Sequence, residues 1–264
     1  MSDLAWLGRT TLLVGPERLN ILQNAHVLVV GLGGVGSFAA EFICRAGVGK
    51  MTIVDGDVVD PSNRNRQLPA LSTTHGQPKV AIMKERLLAI NPDLQLTSIQ
   101  EFLSPEAAEQ ILTAGTYDYV MDCIDSITPK LNLLTAAYKK NIKIVSSMGA
   151  GGKIDPTLIR IADLYDTREC YLASLVRKRL KKMEVYRGIK AVFSIEKIMD
   201  ESLMLTDGSN FKKSAYGTIS YLPAAFGGAC ASVVIRDLLD YEITMEKKLK
   251  ALVQREKQQR KLGK

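Results

Sequence analysis

Apolar positions in the first 150 residues follow two rhythms that take turns. One is a short, nearly solid run: "HVLVVG" at 26–31, "KMTIVD" at 50–55, "LQLTSI" at 94–99, "YDYVMDCID" at 117–125 and "IKIVSSMGA" at 142–150. Runs of this kind predict strands covered on both faces, as in a parallel sheet. The other rhythm repeats every three to four residues. It predicts a helix in "GVGSFAAEFICRAGVG", with Phe38, Phe42 and Ile43 sharing one side and Gly47 as the stop. It predicts another in "GQPKVAIMKERLLAI" at 76–90, closed by Asn91 and Pro92. Two more follow: "SPEAAEQIL", with Ser104 as cap and Pro105 in the first turn, and "NLLTAAYKK". Strict strand–helix alternation predicts an α/β fold, a doubly wound and mostly parallel sheet with helices on both faces.

The pattern changes after Gly152. "KIDPTLIRIADL" alternates like an antiparallel strand, "CYLASLVRKRLKKM" has helical spacing, and "KAVFSIE" reads as one more strand. Residues 199–215 are polar and carry "DGSN", which predicts a mobile loop. The stretch 218–235, "TISYLPAAFGGACASVVI", is uncharged and near membrane-span length. Pro223, Gly227, Gly228 and its small polar residues favour a buried C-terminal core helix over stable membrane insertion. The tail from Glu246 predicts a charged helix or disordered arm. A soft boundary therefore falls near residue 150, with 151–264 an antiparallel extension of the same fold.

Composition adds limits. The chain has 264 residues, 46% hydrophobic and 24% charged, as a soluble globular protein does. The N-terminus carries Asp3 and lacks a long apolar core, so it does not read as a secretory signal. Cys44, Cys123, Cys170 and Cys230 lie more than 40 residues apart, so no C-x-x-C pair exists and no zinc is expected. Free thiols suit a reducing cytoplasm. Neither His26 nor His75 has a ligand companion at useful spacing. The formal net charge of +7 is uneven: residues 1–150 carry 13 basic and 14 acidic side chains, and residues 151–264 carry 22 and 14. A cationic second half points to a polyanionic partner, nucleic acid first.

The candidate chemistry begins at Gly31, Gly33 and Gly36, which fit G-x-G-x-x-G between a strand and a helix, with Gly34 in the same loop. Asp55 ends the next strand, 24 residues after Gly31, where a carboxylate accepts ribose hydroxyls; Asp57 follows it. These features point to an adenine nucleotide and leave NAD and ATP both open. Asn63 and Arg66 in "SNRNRQ", Lys79 at the next helix and Asp125 after the fourth strand would converge at the carboxyl ends of the strands. Two cations, an amide and a carboxylate match a triphosphate with Mg²⁺ better than a dinucleotide.

"GLGGVGS…GVGKMTIVDGDVVDPSNRNRQ…GQPKV…DCID" resembles the adenylation domain shared by ubiquitin-activating enzymes and bacterial sulfur-carrier adenylyltransferases. The resemblance spans roughly residues 5–150 and implies a Rossmann-like fold that converts a carboxylate and ATP into an acyl adenylate and pyrophosphate. It implies that Asp55 binds ribose, that Asn63, Arg66 and Lys79 hold phosphates, and that Asp125 binds Mg²⁺. It further implies a homodimer in which Arg9, in "LGRTTLLVG", reaches the partner's ATP site. Residues 1–150 would then be the nucleotide-binding adenylation core.

Sulfur-carrier adenylyltransferases usually carry two C-x-x-C pairs, which this chain lacks. The second half instead resembles the tRNA threonylcarbamoyladenosine dehydratases, through "IRIADL…LASLVRKRLKK" and "GTISYLPAAFGGACASVVIRDL". That resemblance implies an AMP-forming, ATP-driven cyclisation of N6-threonylcarbamoyladenosine in tRNA. The charge map agrees: Arg177, Lys178, Arg179, Lys181 and Lys182 form a basic run, Arg187 follows, and residues 246–264 hold eight basic and two acidic side chains. Intramolecular ring closure needs no catalytic thiol. Cys44, Cys123 and Cys230 then read as packing residues, and Cys170, beside the basic helix, as a candidate acyl or persulfide acceptor. A sulfur-transfer protein is a further partner this reading admits. The competing expectations are activation of a ubiquitin-like or sulfur-carrier C-terminus, an NAD-dependent oxidoreductase that would leave "SNRNRQ" and Lys79 without purpose, and a non-catalytic nucleotide-binding scaffold.

Overall fold

The structure, a computed structural model, describes residues 5–205 and 214–241. Two helices come first, α1 (Gly8–Val14) and α2 (Pro16–Asn24). Then β1 (His26–Val30), α3 (Gly36–Arg45), β2 (Lys50–Val54), α4 (Lys79–Ile90), β3 (Gln95–Ile99), α5 (Pro105–Ala114), β4 (Tyr119–Asp122), α6 (Ile127–Lys139) and β5 (Ile144–Ser147) alternate. β6 (Ile159–Asp163), α7 (Tyr171–Lys181), β7 (Lys190–Ser194), β8 (Leu203–Leu205), β9 (Ser214–Tyr216) and α8 (Tyr221–Leu238) complete the order.

Seven strands form one sheet in the order β3-β2-β1-β4-β5-β7-β6, all parallel except β6, which runs antiparallel to β7. The solid apolar runs have a direct cause. Successive side chains point to opposite faces, and both faces are buried. Val27, Val29, Met51 and Ile53 face one core cluster, completed by α3, α4 and α8. Leu28, Val30, Val54 and Val120 face the other, completed by α5, α6 and α7. The sheet continues past residue 150, since β7 pairs with β5 and α8 packs over the same face as α3.

Several elements depart from the sequence pattern. α1 and α2 carry no strong periodic signal. The second helix of the alternation begins at Lys79 rather than at 76, because Gly76 has φ +78° and Pro78 makes a bridge with Val58. Phe42 is 39% exposed, so the buried side of α3 is Ala39, Ala40, Ile43 and Cys44. The strand expected across 153–164 is confined to β6, because Asp155 caps a short 3-10 turn at Pro156–Leu158. Within 199–215, the expected loop holds a 3-10 turn and the antiparallel pair β8 and β9; the "DGSN" segment lies outside the described residues. The basic tail also lies outside them. α8 buries Leu222, Phe226, Cys230 and Val233, as a core helix does. Among the described residues no helix is long and apolar enough to cross a membrane.

Candidate active site

Strand order reverses between β1 and β4: one half of the sheet grows from β1 toward β3, the other from β4 toward β6. Connections leave that point in opposite directions and open a crevice at the carboxyl ends of the strands. A cleft of about 620 Å³ lies there. Its walls are the glycine loop, the ends of β2, β4 and β5, the 102–105 loop before α5, and the first turns of α6 and α7.

The glycine loop is built by sterics. Gly31 has φ +89°, and a Cβ there would sit 2.9 Å from the Cys123 carbonyl oxygen. Gly36 opens α3 so close to the strand end that a Cβ would fall 1.7 Å from Gly31 O. Gly31, Gly33 and Gly34 line the cleft, whereas Gly36 does not and acts in helix–strand packing.

Asp55 turns back on this loop. Its carboxylate accepts the Leu32 N–H at 2.5 Å and the Asp57 N–H at 2.7 Å. Burial pushes its pKa above the ordinary carboxylate range, opposed by Lys79 and by those two donors. Lys79 is nearly buried, and its Nζ donates to Asp57 Oδ2 at 2.9 Å. Arg66 donates to Ser62 O at 2.9 Å and to Asn65 Oδ1 at 2.8 Å. Asn65 in turn donates to Thr218 O at 2.9 Å and ties this loop to the approach of α8. Asp125 is exposed at the cleft, with the Ser126 hydroxyl donating to its Oδ1 at 3.3 Å.

The cleft therefore gathers Gly31, Gly33, Gly34, Asp55, Asp57, Arg66, Lys79 and Asp125. Asn63 is not among its walls. It is buried, and its Oδ1 accepts the Asp60 N–H at 3.2 Å in a reciprocal capping box. Arg9 is exposed on α1 and does not line the cleft of its own chain. The basic run also divides. Arg177 is half-buried and donates to the carbonyl and hydroxyl oxygens of Thr167, and Arg187 pairs with Asp166 at 2.9 Å. Lys178, Arg179, Lys181 and Lys182 are exposed.

Two of the cysteines are held as thiols. Burial pushes the Cys44 thiol up to about 12. Cys123 lines the cleft, but hydrogen bonding to Cys230 and then burial hold its pKa well above the ordinary thiol value. Cys170 is buried at the head of α7, closed off from the acceptor role considered for it. His26 donates to or accepts from Thr52 Oγ1 at 3.0 Å, and burial lowers its pKa. His75 is exposed in a loop.

Other site residues carry weaker sequence signals. Gln67 lines the cleft, and its Oε1 is buried with no hydrogen-bond partner among the described residues. It was visible as the last letter of "SNRNRQ", though its type alone says little. Beneath the cleft, Lys130 and Asp122 are fully buried, their Nζ and Oδ2 at 2.5 Å, and Lys130 also donates to Ser147 O at 3.0 Å. Nothing in the linear sequence marks that pair.

Comparison with known proteins identifies the family and the fold. The chain is 40% identical over 243 residues to a tRNA threonylcarbamoyladenosine dehydratase of Bacillus subtilis, covering 89% of this chain and 95% of the relative. It superposes on the Escherichia coli tRNA N6-threonylcarbamoyladenosine dehydratase TcdA, solved in complex with ATP, with TM-score 0.82 and 35% identity, covering 90% of this chain and 96% of that one. A molybdopterin-synthase adenylyltransferase of Salmonella typhimurium is 36% identical over 130 residues, covering only 49% of this chain and 51% of the relative. The ThiF family matches from residue 7 to residue 262, and the chain belongs to that family.

Proposed function

We propose that this chain is an ATP-dependent tRNA threonylcarbamoyladenosine dehydratase. It adenylates the carboxylate of N6-threonylcarbamoyladenosine in tRNA, and loss of AMP then closes the ring, so that one water is removed overall. The observation that carries this reading is likeness to dehydratases along nearly the whole chain, second half included, where likeness to the carrier-protein adenylyltransferase stops at half.

The site supports the chemistry. An acid is a poor acyl donor until its oxygen is joined to a phosphoryl group that can leave. The protein's task is to bring the carboxylate in line with the α-phosphate and to neutralise charge as pyrophosphate departs. Asp55 is oriented by two backbone donors and serves as ribose acceptor. Lys79 donates to Asp57, and Arg66 to Ser62 O and Asn65 Oδ1, groups that a phosphate can replace. Mg²⁺ takes one or two carboxylates with phosphate oxygens; Asp125, an exposed carboxylate of the cleft wall, would hold it, and the ion would supply charge neutralisation there. Asn63 then acts on the phosphates indirectly, by fixing the loop that carries Arg66.

Residues 1–150 serve as the adenylation core and 151–264 as the tRNA-facing extension. Arg9, exposed on α1 among the exposed Leu12 and Leu13, fits a homodimer in which it completes the partner's site. The setting is the cytoplasm, with a sulfur-transfer protein as an accessory partner. The test is incubation of the protein with ATP, Mg²⁺ and tRNA bearing N6-threonylcarbamoyladenosine, followed by mass spectrometry of the nucleosides. The expected product is lighter by one water and forms with AMP release. Equal AMP release with unmodified tRNA, or a requirement for a small carrier protein, overturns the assignment.

A further inference from the structure

A second depression, about 300 Å³, lies beside the catalytic cleft. Its walls are Thr128, Leu131 and Asn132 of α6, with Arg179, Lys182 and Met183 from the end of α7. Thr128 and Asn132 also line the catalytic cleft, so the two depressions meet along one edge of α6. α7 joins them as well: Leu172 in its first turn lines the cleft, and Arg179 and Lys182 line the groove. From Leu172 to Lys182 is about 15 Å along a helix at 1.5 Å per residue.

The groove selects from the basic run. Arg179 and Lys182 are three residues apart and share a helix face. Lys178 and Lys181 have the same spacing but are turned about one residue, roughly 100°, away, and neither lines the groove. Arg177 is spent on Thr167 and Arg187 on Asp166. Two exposed cations beside a trough that shares Thr128 and Asn132 with the cleft suit a polyanionic strand running toward it.

We propose that the groove between α6 and α7 is the track along which the RNA strand flanking the modified nucleotide reaches the cleft, with Arg179 and Lys182 on its phosphates. Thr128 and Asn132 form the rim where the strand turns its base inward. This rests on the tRNA-modifying function proposed above and assigns its substrate a path. A nucleoside treated chemically inside a cleft must be splayed from its neighbours, so the backbone on one side of it needs a charged support close to the rim.

The experiment compares R179A/K182A with K178A/K181A, each removing two exposed charges, in the full-length protein. tRNA binding is measured by filter retention across a salt series, ATP binding by titration, and conversion by nucleoside mass spectrometry. R179A/K182A should weaken tRNA binding about tenfold and lower the slope of log K against log salt by roughly 1.4, as loss of two single-strand phosphate contacts requires. K178A/K181A should show less than half of either effect. Equal effects in the two variants, or a loss of ATP affinity in R179A/K182A, overturn the assignment. Failure of the wild-type protein to convert modified tRNA would instead strike the proposed function, and the two failures are read in separate assays.

Discussion

Replacing Lys130 by Met tests how the floor of the cleft is held. Its Nζ faces three acceptors: Asp122 Oδ2 at 2.5 Å, Ser147 O at 3.0 Å and Ser146 Oγ at 3.2 Å. Both charged side chains have zero exposure. Stranding one member of such a pair costs about 3–5 kcal/mol. Two features place this case at the lower end. Asp122 keeps the Ser146 hydroxyl at 2.5 Å and the Ile124 N–H at 3.1 Å, and methionine refills most of the lysine volume. A loss of about 3 kcal/mol lowers Tm by roughly 6–12 °C in a chain of this size. Adding Asp122→Asn removes the stranded charge and should restore about 2 kcal/mol, so the double variant is more stable than K130M alone. Thermal and urea melts of wild type, K130M, D122N and the double variant read this directly. ATP affinity should also fall in K130M, because the Ser147 carbonyl it anchors leads straight into Met148 and Gly149 of the cleft wall. A K130M melt within about 1 kcal/mol of wild type, or a double variant less stable than K130M, would show that the buried pair does not hold the cleft floor.

Two further outcomes follow from the cleft. Lys79→Met keeps the buried stem and leaves Asp57, 37% exposed, to solvent; stability should change by less than about 1 kcal/mol while turnover falls by roughly 10²–10³. AMP-release kinetics beside a thermal melt check it, and a large drop in Tm would make Lys79 structural instead. Asp55, raised by burial, binds its proton more tightly folded than unfolded. Its stabilising contribution is therefore present below the ordinary carboxylate range and lost as pH rises through the raised value. Nucleotide binding runs the opposite way, since ribose hydroxyls need the ionised acceptor. ATP affinity should fall as pH drops through that raised value, and Asp55→Asn should bind weakly with no such dependence. Parallel pH profiles for the two proteins would count against Asp55 as the ribose acceptor.

What the sequence made legible follows from how locally each feature is caused. The parallel core was readable because burial of both faces leaves a mark inside a central strand: in β1, Val27 and Val29 serve one core and Leu28 and Val30 the other. The glycine loop and Asp55 were readable because backbone approach and strand-end position are encoded by residue type and spacing. Features set by distant contacts were not. Lys130 and Asp122 become a pair only once α6 lies against β4 and β5.

Read linearly, Arg66 and Lys79 are unmet cations awaiting a phosphate. Folded, each already has partners: Lys79 rests on Asp57, and Arg66 on a carbonyl and an amide of its own loop. A nearly buried Lys79 with no counter-charge would be costly in a nucleotide-free protein. The Asp57 carboxylate removes that cost and, being part-exposed, can return to water when a phosphate oxygen takes its place. On the proposed function, a triphosphate would meet cations already held in the cleft wall, and what it would gain is the difference between a phosphate and a solvated aspartate. That difference grows as charge builds on the departing pyrophosphate, which is when a catalyst must bind most tightly.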